Sequence, residues 1–112
     1  MRRSVRIGLI GAGFIGRSHG LAVRAVNAVF PDCPIDAEPH ILADEAPGKA
    51  ERAAAALRFS RATADWREAV DAADAIIIAV PSHAHAEIAR RAIAQGKPST
   101  GVRAKAAIAS AE

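Results

Sequence analysis

The strongest constraint on the fold is a glycine-rich hexapeptide that lies directly between a strand pattern and a helix pattern. Residues 5–10 are apolar enough for a buried strand, and GAGFIG follows them at residues 11–16 without a spacer. From Phe14 onward, apolar residues recur at the period of a helix. A strand, a tight glycine turn and a helix in this order begin a βαβ unit, which builds a parallel sheet.

The alternation of strand and helix patterns continues along the chain. Further strands are predicted at residues 40–43, 59–63 and 75–80, and each is followed by a helical period. Right-handed crossovers place these strands in one parallel sheet, with the order reversing between the first and the fourth strand. The predicted fold is therefore a single α/β domain with a doubly wound, Rossmann-like parallel sheet, and ligands of such sheets bind at that reversal.

Three local expectations follow from the same patterns. We interpret residues 29–39, which are rich in proline, as an insertion before the second strand. Asp65 and Glu68 have the spacing of a capping box at the start of the third helix. The apolar face of the first helix is predicted to consist of Ile15, Ala22, Ala25, Val26 and Val29.

The glycines of the hexapeptide have separate tasks in binding a dinucleotide. Gly11 allows the tight turn, Gly13 lets a pyrophosphate approach the backbone, and Gly16 lets the helix pack closely on the strand. Free backbone N–H groups at the start of the helix then hold the anion. The alternative is a structural turn without a ligand. We assign cofactor contacts to Gly11, Ala12, Gly13, Phe14, Ile15 and Gly16.

A dinucleotide site of this kind also needs an acid at the end of the second strand, about 20 residues beyond the glycines. Asp32 and Asp36 have that distance, but both lie in the proline-rich stretch. Asp44 lies at a strand end, and its carboxylate would accept hydrogen bonds from ribose hydroxyls and repel a 2′-phosphate. The cofactor is therefore predicted to be NAD. Lys49 could neutralise a phosphate and leaves NADP as the alternative. The competing role of Asp44 or Glu45 is to cap the next helix.

The fourth strand ends on the other side of the same reversal. Residues 75–80 are apolar throughout, as in a central parallel strand, and Pro81 ends them. We assign cofactor contacts here to Val80, Pro81 and His85, with a packed imidazole as the alternative for His85. His83 and His85 have the spacing of a metal pair but lack a third ligand in view, so no metal site is predicted. No catalytic residue is identified.

Composition and charge exclude other classes of protein. A net charge of +3 with basic and acidic residues interspersed does not indicate a nucleic-acid partner. The longest apolar run, residues 75–81, is far shorter than the ~20 residues of a membrane span, and the N-terminal stretch is too short and too interrupted for an export signal. Cys33 as the single cysteine excludes internal disulfides and fits a reducing cytoplasm.

Two segments together resemble the N-terminal half of the Gfo/Idh/MocA oxidoreductases, namely VRIGLIGAGFIGRSH and AIIIAVPSHAHAEIARRAIAQGKP. The family pattern Thr/Val-Pro-Asn-x-x-His, a helix and then Gly-Lys stands here at residues 80–85 and 96–97, with Ser82 in place of Asn. The resemblance covers residues 5–98. It implies NAD(P)-dependent hydride transfer between a nicotinamide and a sugar, a cyclitol or a similar polyol.

The chain departs from this family after Pro98. In the family a fifth strand ends in Glu-Lys-Pro, whose lysine contacts cofactor and substrate, whereas residues 99–105 read STGVRAK. Arg103 and Lys105 are candidate replacements without the flanking motif. Ser99-Thr100-Gly101 is a poor strand start, so the edge of the fourth strand is expected to be open to self-association.

These departures shape the predicted domain organisation and its alternatives. We predict a dinucleotide-binding domain over residues 1–98 and a divergent segment over residues 99–112, with the family's substrate domain absent. A polyol substrate is then expected only if a second domain is supplied. The alternatives are a catalytically inactive, truncated nucleotide-binding module and a domain that binds coenzyme A on the same fold.

Overall fold

A computed structural model describes residues 3–100, in which a five-stranded parallel sheet carries helices on both faces. The elements in chain order are β1 (Arg3–Ile10), α1 (Phe14–Val29), β2 (Ile35–Ala43), α2 (Lys49–Leu57), β3 (Arg61–Thr63), α3 (Trp66–Ala72), β4 (Ala75–Ile78), α4 (Ser82–Ala94) and β5 (Ser99–Thr100).

The sheet order is β3-β2-β1-β4-β5, with all neighbours parallel. The chain therefore runs outward from β1 in one direction and returns to the other side of β1 with β4. In the register, Ile10 at the end of β1 lies between Ala43 of β2 and Ile78 of β4. The predicted doubly wound sheet is confirmed, and its reversal lies between β1 and β4.

Two apolar cores hold the helices to the sheet. Leu9 and Leu42 point to the face covered by α2, whose stripe of three alanines and Leu57 is buried there. Ile41 and Ile76 point to the opposite face, where α3 and α4 pack, with Ile88 of α4 only 1% exposed. Because β1, β2 and β4 bury side chains on both faces, their carboxyl ends are held rigidly at one edge.

Helix α1 packs through its glycines, so the apolar face predicted for it is wrong. Ile15, Ala22, Ala25 and Val29 are exposed, whereas Gly16, Gly20 and Val23 are buried. A Cβ at Gly20 would lie 2.7 Å from the Leu57 side chain. Gly16 and Gly20 are buried because α1 lies too close to its neighbours at these two positions for a larger side chain.

Strand β2 is longer than predicted, and the interpretation of residues 29–39 as an insertion is wrong for residues 35–39. They pair in parallel with β1, from Arg3 opposite Ile35 to Ile7 opposite Pro39. A register shift between Ile7 and Gly8 follows, next to the proline that lacks an N–H. Asp36 therefore lies at the amino end of β2, away from the edge where ligands bind.

The start of α3 is capped by Asp65, as predicted, but the reciprocal capping box is wrong. The Asp65 carboxylate accepts from the Arg67 N–H at 3.0 Å. Glu68 instead accepts from the Thr63 hydroxyl at 2.8 Å and from Arg61 at 2.6 Å. The Asp65 N–H donates to that same Thr63 hydroxyl at 3.1 Å, so a threonine replaces Glu68 as its partner.

The sheet continues two residues past the domain boundary predicted at residue 98. Ser99 and Thr100 pair in parallel with Ile76 and Ile77 of β4, so the expectation of a poor strand start and an open edge is wrong for these residues. Self-association stays a prediction. Arg103 and Lys105 lie outside the described residues. Within residues 3–100, no helix has the length and apolar character needed to cross a membrane.

Candidate functional site

The glycine turn joins the ends of three strands. Gly11 has a φ of +107°, a conformation that favours glycine. Its N–H donates to the Ala43 carbonyl of β2 at 2.8 Å, and a Cβ on Gly11 would collide with the Ala79 carbonyl that follows β4. The Ala79 N–H in turn donates to the Ile10 carbonyl at 2.8 Å. The turn is therefore fixed at the reversal of the sheet, where the sequence places it.

The N-terminus of α1 is free to bind an anion. Gly13 is its N-cap residue, no side chain caps the helix, and its first turn contains no acid. The space where a Cβ of Gly13 would stand has no atom within 4 Å. The first N–H groups of a helix lack intrahelical partners, so the N–H groups of Phe14 and Ile15 make no hydrogen bond within α1 and lie at its N-terminus. The side chains of Phe14 and Ile15 have no hydrogen-bond donor, so any anion contact of these two residues would be through the backbone.

Asp44 lies half-buried just past the end of β2, with both carboxylate oxygens held by the backbone. One oxygen accepts from the Ala12 N–H and the other from the Ala46 N–H, each at 2.9 Å. Helix α2 begins later, at Lys49, and its N-cap Gly48 has no side-chain hydrogen bond. Asp44 therefore does not cap that helix. Its carboxylate retains lone pairs for a ligand and is oriented toward the glycine turn.

A cavity of about 640 Å³ opens along the carboxyl ends of β1, β2 and β4, and we call it the switch-point cavity. Of the residues predicted to contact a cofactor, the lining includes Gly11, Ala12, Gly13, Asp44, Val80 and Pro81. Gly16 does not line the cavity; a Cβ there would collide with the Gly11 carbonyl, so its lack of a side chain lets α1 approach the turn closely. The structure thus brings most of the predicted site to one surface.

His85 is not among the residues that line the switch-point cavity. Its Nε2 lies 2.6 Å from the Val80 carbonyl, which only accepts, so Nε2 carries the proton of that hydrogen bond. Nδ1 is buried without a partner. The ring therefore braces the backbone where β4 ends, and a direct cofactor contact of His85 stays a prediction. His83 lines the switch-point cavity instead. Among residues 3–100, no three His, Cys, Asp or Glu side chains form a group that could hold a metal ion.

Sequence reasoning missed three residues that line the cavity. Ala64 belongs to the β3–α3 connection, Trp66 is the first residue of α3, and Glu87 lies on α4. Trp66 packs against the core and also lines the cavity. The available signal was position, because residues that follow a parallel strand lie at the same edge as the other strand ends.

Two carboxyl groups with lowered pKa lie outside the cavity. Hydrogen bonds from Arg91 and then Gln95 lower the pKa of Asp71 to about 2. Hydrogen bonds from the Arg6 side chain and backbone lower the pKa of Asp74 to about 2. The Asp71–Arg91 pair links α3 to α4. The Asp74–Arg6 pair links the residue before β4 to β1, so both pairs are structural.

Comparison with known proteins gives one consistent result. Residues 5–100 match the sequence model described as oxidoreductase family, NAD-binding Rossmann fold, GFO_IDH_MocA. Levoglucosan dehydrogenase of Pseudarthrobacter phenanthrenivorans is 38% identical over 97 residues, which are 85% of this chain and 25% of that protein. Inositol 2-dehydrogenase of Rhizobium meliloti is 38% identical over 94 residues, 84% of this chain and 26% of that protein.

A solved structure agrees with these relatives. Levoglucosan dehydrogenase in complex with NADH and levoglucosan superposes with a TM-score of 0.83 at 36% identity, covering 87% of this chain and 27% of that one. The chain thus spans about a quarter of the length of the proteins that it matches.

Proposed function

The chain belongs to the Gfo/Idh/MocA oxidoreductase family, as its NAD-binding Rossmann domain, and on that premise we propose that its switch-point cavity binds NAD(H) for the oxidation or reduction of a sugar or polyol. The similarity to levoglucosan and inositol dehydrogenases supports this substrate class. Because the chain spans about a quarter of those relatives, the activity and the substrate are part of the proposal.

One observation carries the cofactor assignment. The Asp44 carboxylate is fixed by the Ala12 N–H at 2.9 Å, beside a helix N-terminus that no side chain caps. This arrangement places an acceptor for ribose hydroxyls one residue from Gly13, where the backbone is open to a pyrophosphate. The residues present therefore fit a dinucleotide, with the phosphates at Gly13 and one ribose at Asp44.

The charge around Asp44 favours NAD over NADP. Asp44 and Glu45 line the cavity next to each other in sequence, and Lys49 is the lysine among the lining residues. A 2′-phosphate at Asp44 would meet two carboxylates, whose repulsion exceeds what a single lysine compensates. We therefore propose NAD as the preferred form, in agreement with the position of Asp44 at the end of β2.

The described residues bind and orient the cofactor. When bound, NAD supplies the acceptor or donor of a hydride. The His85 hydrogen bond fixes the carbonyl of Val80, and Pro81 holds the chain extended as it leaves β4 toward α4. This keeps the wall of the cavity rigid on the side of β4, where the second half of a dinucleotide would extend from α1.

The proposed compartment is the cytoplasm.

Calorimetric titration with NADH, NADPH and coenzyme A tests the cofactor assignment. We expect NADH to bind more tightly than NADPH and coenzyme A not to compete with it. In Asp44→Asn, the loss of charge-assisted bonds, about 1.5–3 kcal/mol, should weaken NADH binding roughly 10- to 100-fold and narrow the preference over NADPH. Asparagine is chosen because its oxygen still accepts from one backbone N–H.

Glu45→Gln is the matched control for NADH affinity: it removes a neighbouring charge without touching the Ala12 N–H, so NADH should bind as in the wild type and only NADPH should bind more tightly. If NADH binding is unchanged in Asp44→Asn and weakened in Glu45→Gln, the acid that binds the ribose is Glu45 and not Asp44. A separate turnover assay tests the oxidoreductase part, with a family substrate domain joined to the chain because a polyol substrate is expected only when that domain is supplied. Reduction of NAD that depends on inositols or aldoses supports the proposal, and no reduction of NAD with any of them contradicts it.

A further inference from the structure

The outward side of α1 is apolar along the whole helix. Residues on this side recur at alternating spacings of four and three, which form one stripe of a helix, and beside them runs a second row at a spacing of seven. All of these residues are exposed, and we call them the α1 seam: Phe14, Ser18, Leu21, Ala25 and Ala28 in the stripe, and Ile15, Ala22 and Val29 in the row. A surface helix that is apolar on its outer side is typical of one that packs against a further element.

The α1 seam is large enough to form a specific interface. Phe14 is 76% exposed, Val29 63%, Ile15 58% and Leu21 56%, so no described residue covers them. At roughly 100–200 Å² of exposed area for each of these residues, the seam offers on the order of 500 Å² per copy. Two copies that cover each other would bury about 1,000 Å² in total, which is the lower limit for a specific interface.

The stripe can be covered by another helix without leaving a polar side chain unpaired. Its one hydroxyl, that of Ser18, donates to the Phe14 carbonyl at 3.0 Å within the same helix. Burial of this residue therefore loses no hydrogen bond. The small side chains of Ser18, Ala25 and Ala28 also let a second helix approach closely, between the larger side chains of Phe14 and Leu21.

The charges beside the seam indicate which helix fits it. Arg17 and Arg24 lie along the flank opposite the row of Ile15, Ala22 and Val29, and α1 contains no acidic residue. When two copies of such a helix pack in parallel, the arginine flank of each meets the apolar row of the other. The carbon stems of the arginines then cover that row while the guanidinium groups stay in water. In an antiparallel pair, the two arginine flanks would meet and repel each other.

A second copy of α1 is therefore complementary to the seam in area, polarity and charge. We propose that the α1 seam binds the α1 seam of a second copy of this chain, with the two helices parallel about a twofold axis. This surface differs from the edge of β4, where the sequence predicted self-association, because that edge pairs with β5. None of the seam residues is among those that line the switch-point cavity, so this inference does not depend on the proposed function.

Sedimentation equilibrium of the 112-residue chain tests the proposal without any cofactor. A reducing agent is present throughout, so that Cys33 cannot link two copies. Over about 5–500 µM, the range suited to an interface at the small end of the specific class, the dimer fraction should rise with concentration. A monomer at every concentration would overturn the proposal and would leave the NAD(H) site untouched.

A matched pair of variants tests which surface holds the dimer. Ala25→Glu puts two carboxylates against each other in the middle of the stripe, which should weaken the dimer at least about 100-fold. Ala56→Glu is the control, because it makes the same change at an exposed alanine of α2 and should dimerise as the wild type does. Circular dichroism confirms that both are folded. Dimerisation of Ala25→Glu as tight as that of the wild type would show that the α1 seam is not the interface.

A charge reversal tests the orientation of the two helices. In the parallel pair, the residue at position 24 lies over an apolar row, so Arg24→Glu should change the dissociation constant of the dimer by less than about fivefold. In an antiparallel pair, the new carboxylate would face an arginine of the second copy. A clearly tighter dimer in Arg24→Glu would therefore overturn the parallel arrangement.

Discussion

Gly13→Val isolates binding from folding, which few substitutions in a glycine turn allow. Gly13 has φ −75° and ψ −168°, an extended conformation open to any residue, and a Cβ there would meet no atom within 4 Å. The expected stability cost is about 1 kcal/mol, from placing valine at the N-cap of α1. A domain of ordinary stability, about 5–15 kcal/mol, remains folded after such a loss.

The effect on binding should be much larger. The isopropyl group would fill the space through which phosphates reach the N–H groups at the start of α1. Losing two charge-assisted hydrogen bonds at about 1.5–3 kcal/mol each weakens NADH binding at least about 100-fold. Calorimetry with NADH measures that loss, and urea unfolding followed by circular dichroism measures the stability of the same sample.

Two further glycine variants calibrate the result. Gly13→Ala adds a smaller group in the same open space and should bind NADH with intermediate affinity. Gly11→Ala should instead destabilise the fold, because it combines a φ of +107° with a collision at the Ala79 carbonyl. The reasoning is refuted if Gly13→Val is folded and binds NADH as tightly as the wild type.

Two predictions concern stability. Because Arg6 lowers the pKa of Asp74 from its ordinary 3.8 to about 2, this pair stabilises the fold above about pH 4, and that contribution is lost as the pH falls toward 2. In Asp74→Asn, the free energy of unfolding in urea should fall less between pH 4 and about pH 2 than in the wild type. The difference should be small, because both partners are about half exposed. The same decrease in both proteins would contradict this role of the pair. Lys97 donates to the last carbonyls of α3 at 2.7 and 2.9 Å, so Lys97→Met should lower the free energy of unfolding by about 1–2 kcal/mol. Arg90 is exposed on α4, so the control Arg90→Met should change the free energy of unfolding by less than about 0.5 kcal/mol. Equal losses in Lys97→Met and Arg90→Met would contradict a stabilising role of the Lys97 hydrogen bonds.

Local patterns predicted the elements whose signals are strong within a few residues. The apolar run predicted as a strand at residues 75–80 contains β4, and Asp65 caps the start of α3 as predicted. The glycine turn was predictable because its motif and its context agree. Asp44 was found because the end of β2 is marked by its last apolar residues, even though the distance rule favoured other acids.

The remaining features depend on contacts between distant parts of the chain. Counting apolar residues could not find the buried face of α1, because Gly16 and Gly20 are buried by the nearness of the Gly11 carbonyl and Leu57. The polar start of β2 looks like a loop until β1 pairs with it. Trp66 and Glu87 reach the switch-point cavity from two different helices, and their meeting is a property of the assembled sheet.

The central claim is that the carboxyl edge of the sheet binds NAD(H) through the glycine turn and Asp44. The most direct measurement is an amide NMR titration of the ¹⁵N-labelled 112-residue chain with NADH. The account predicts that the signals of Ala12, Gly13, Phe14 and Ile15 shift together with that of Ala46, whose N–H binds Asp44. Shifts confined to the amino edge of the sheet, near Asp36, with the glycine-turn signals unchanged, would contradict it.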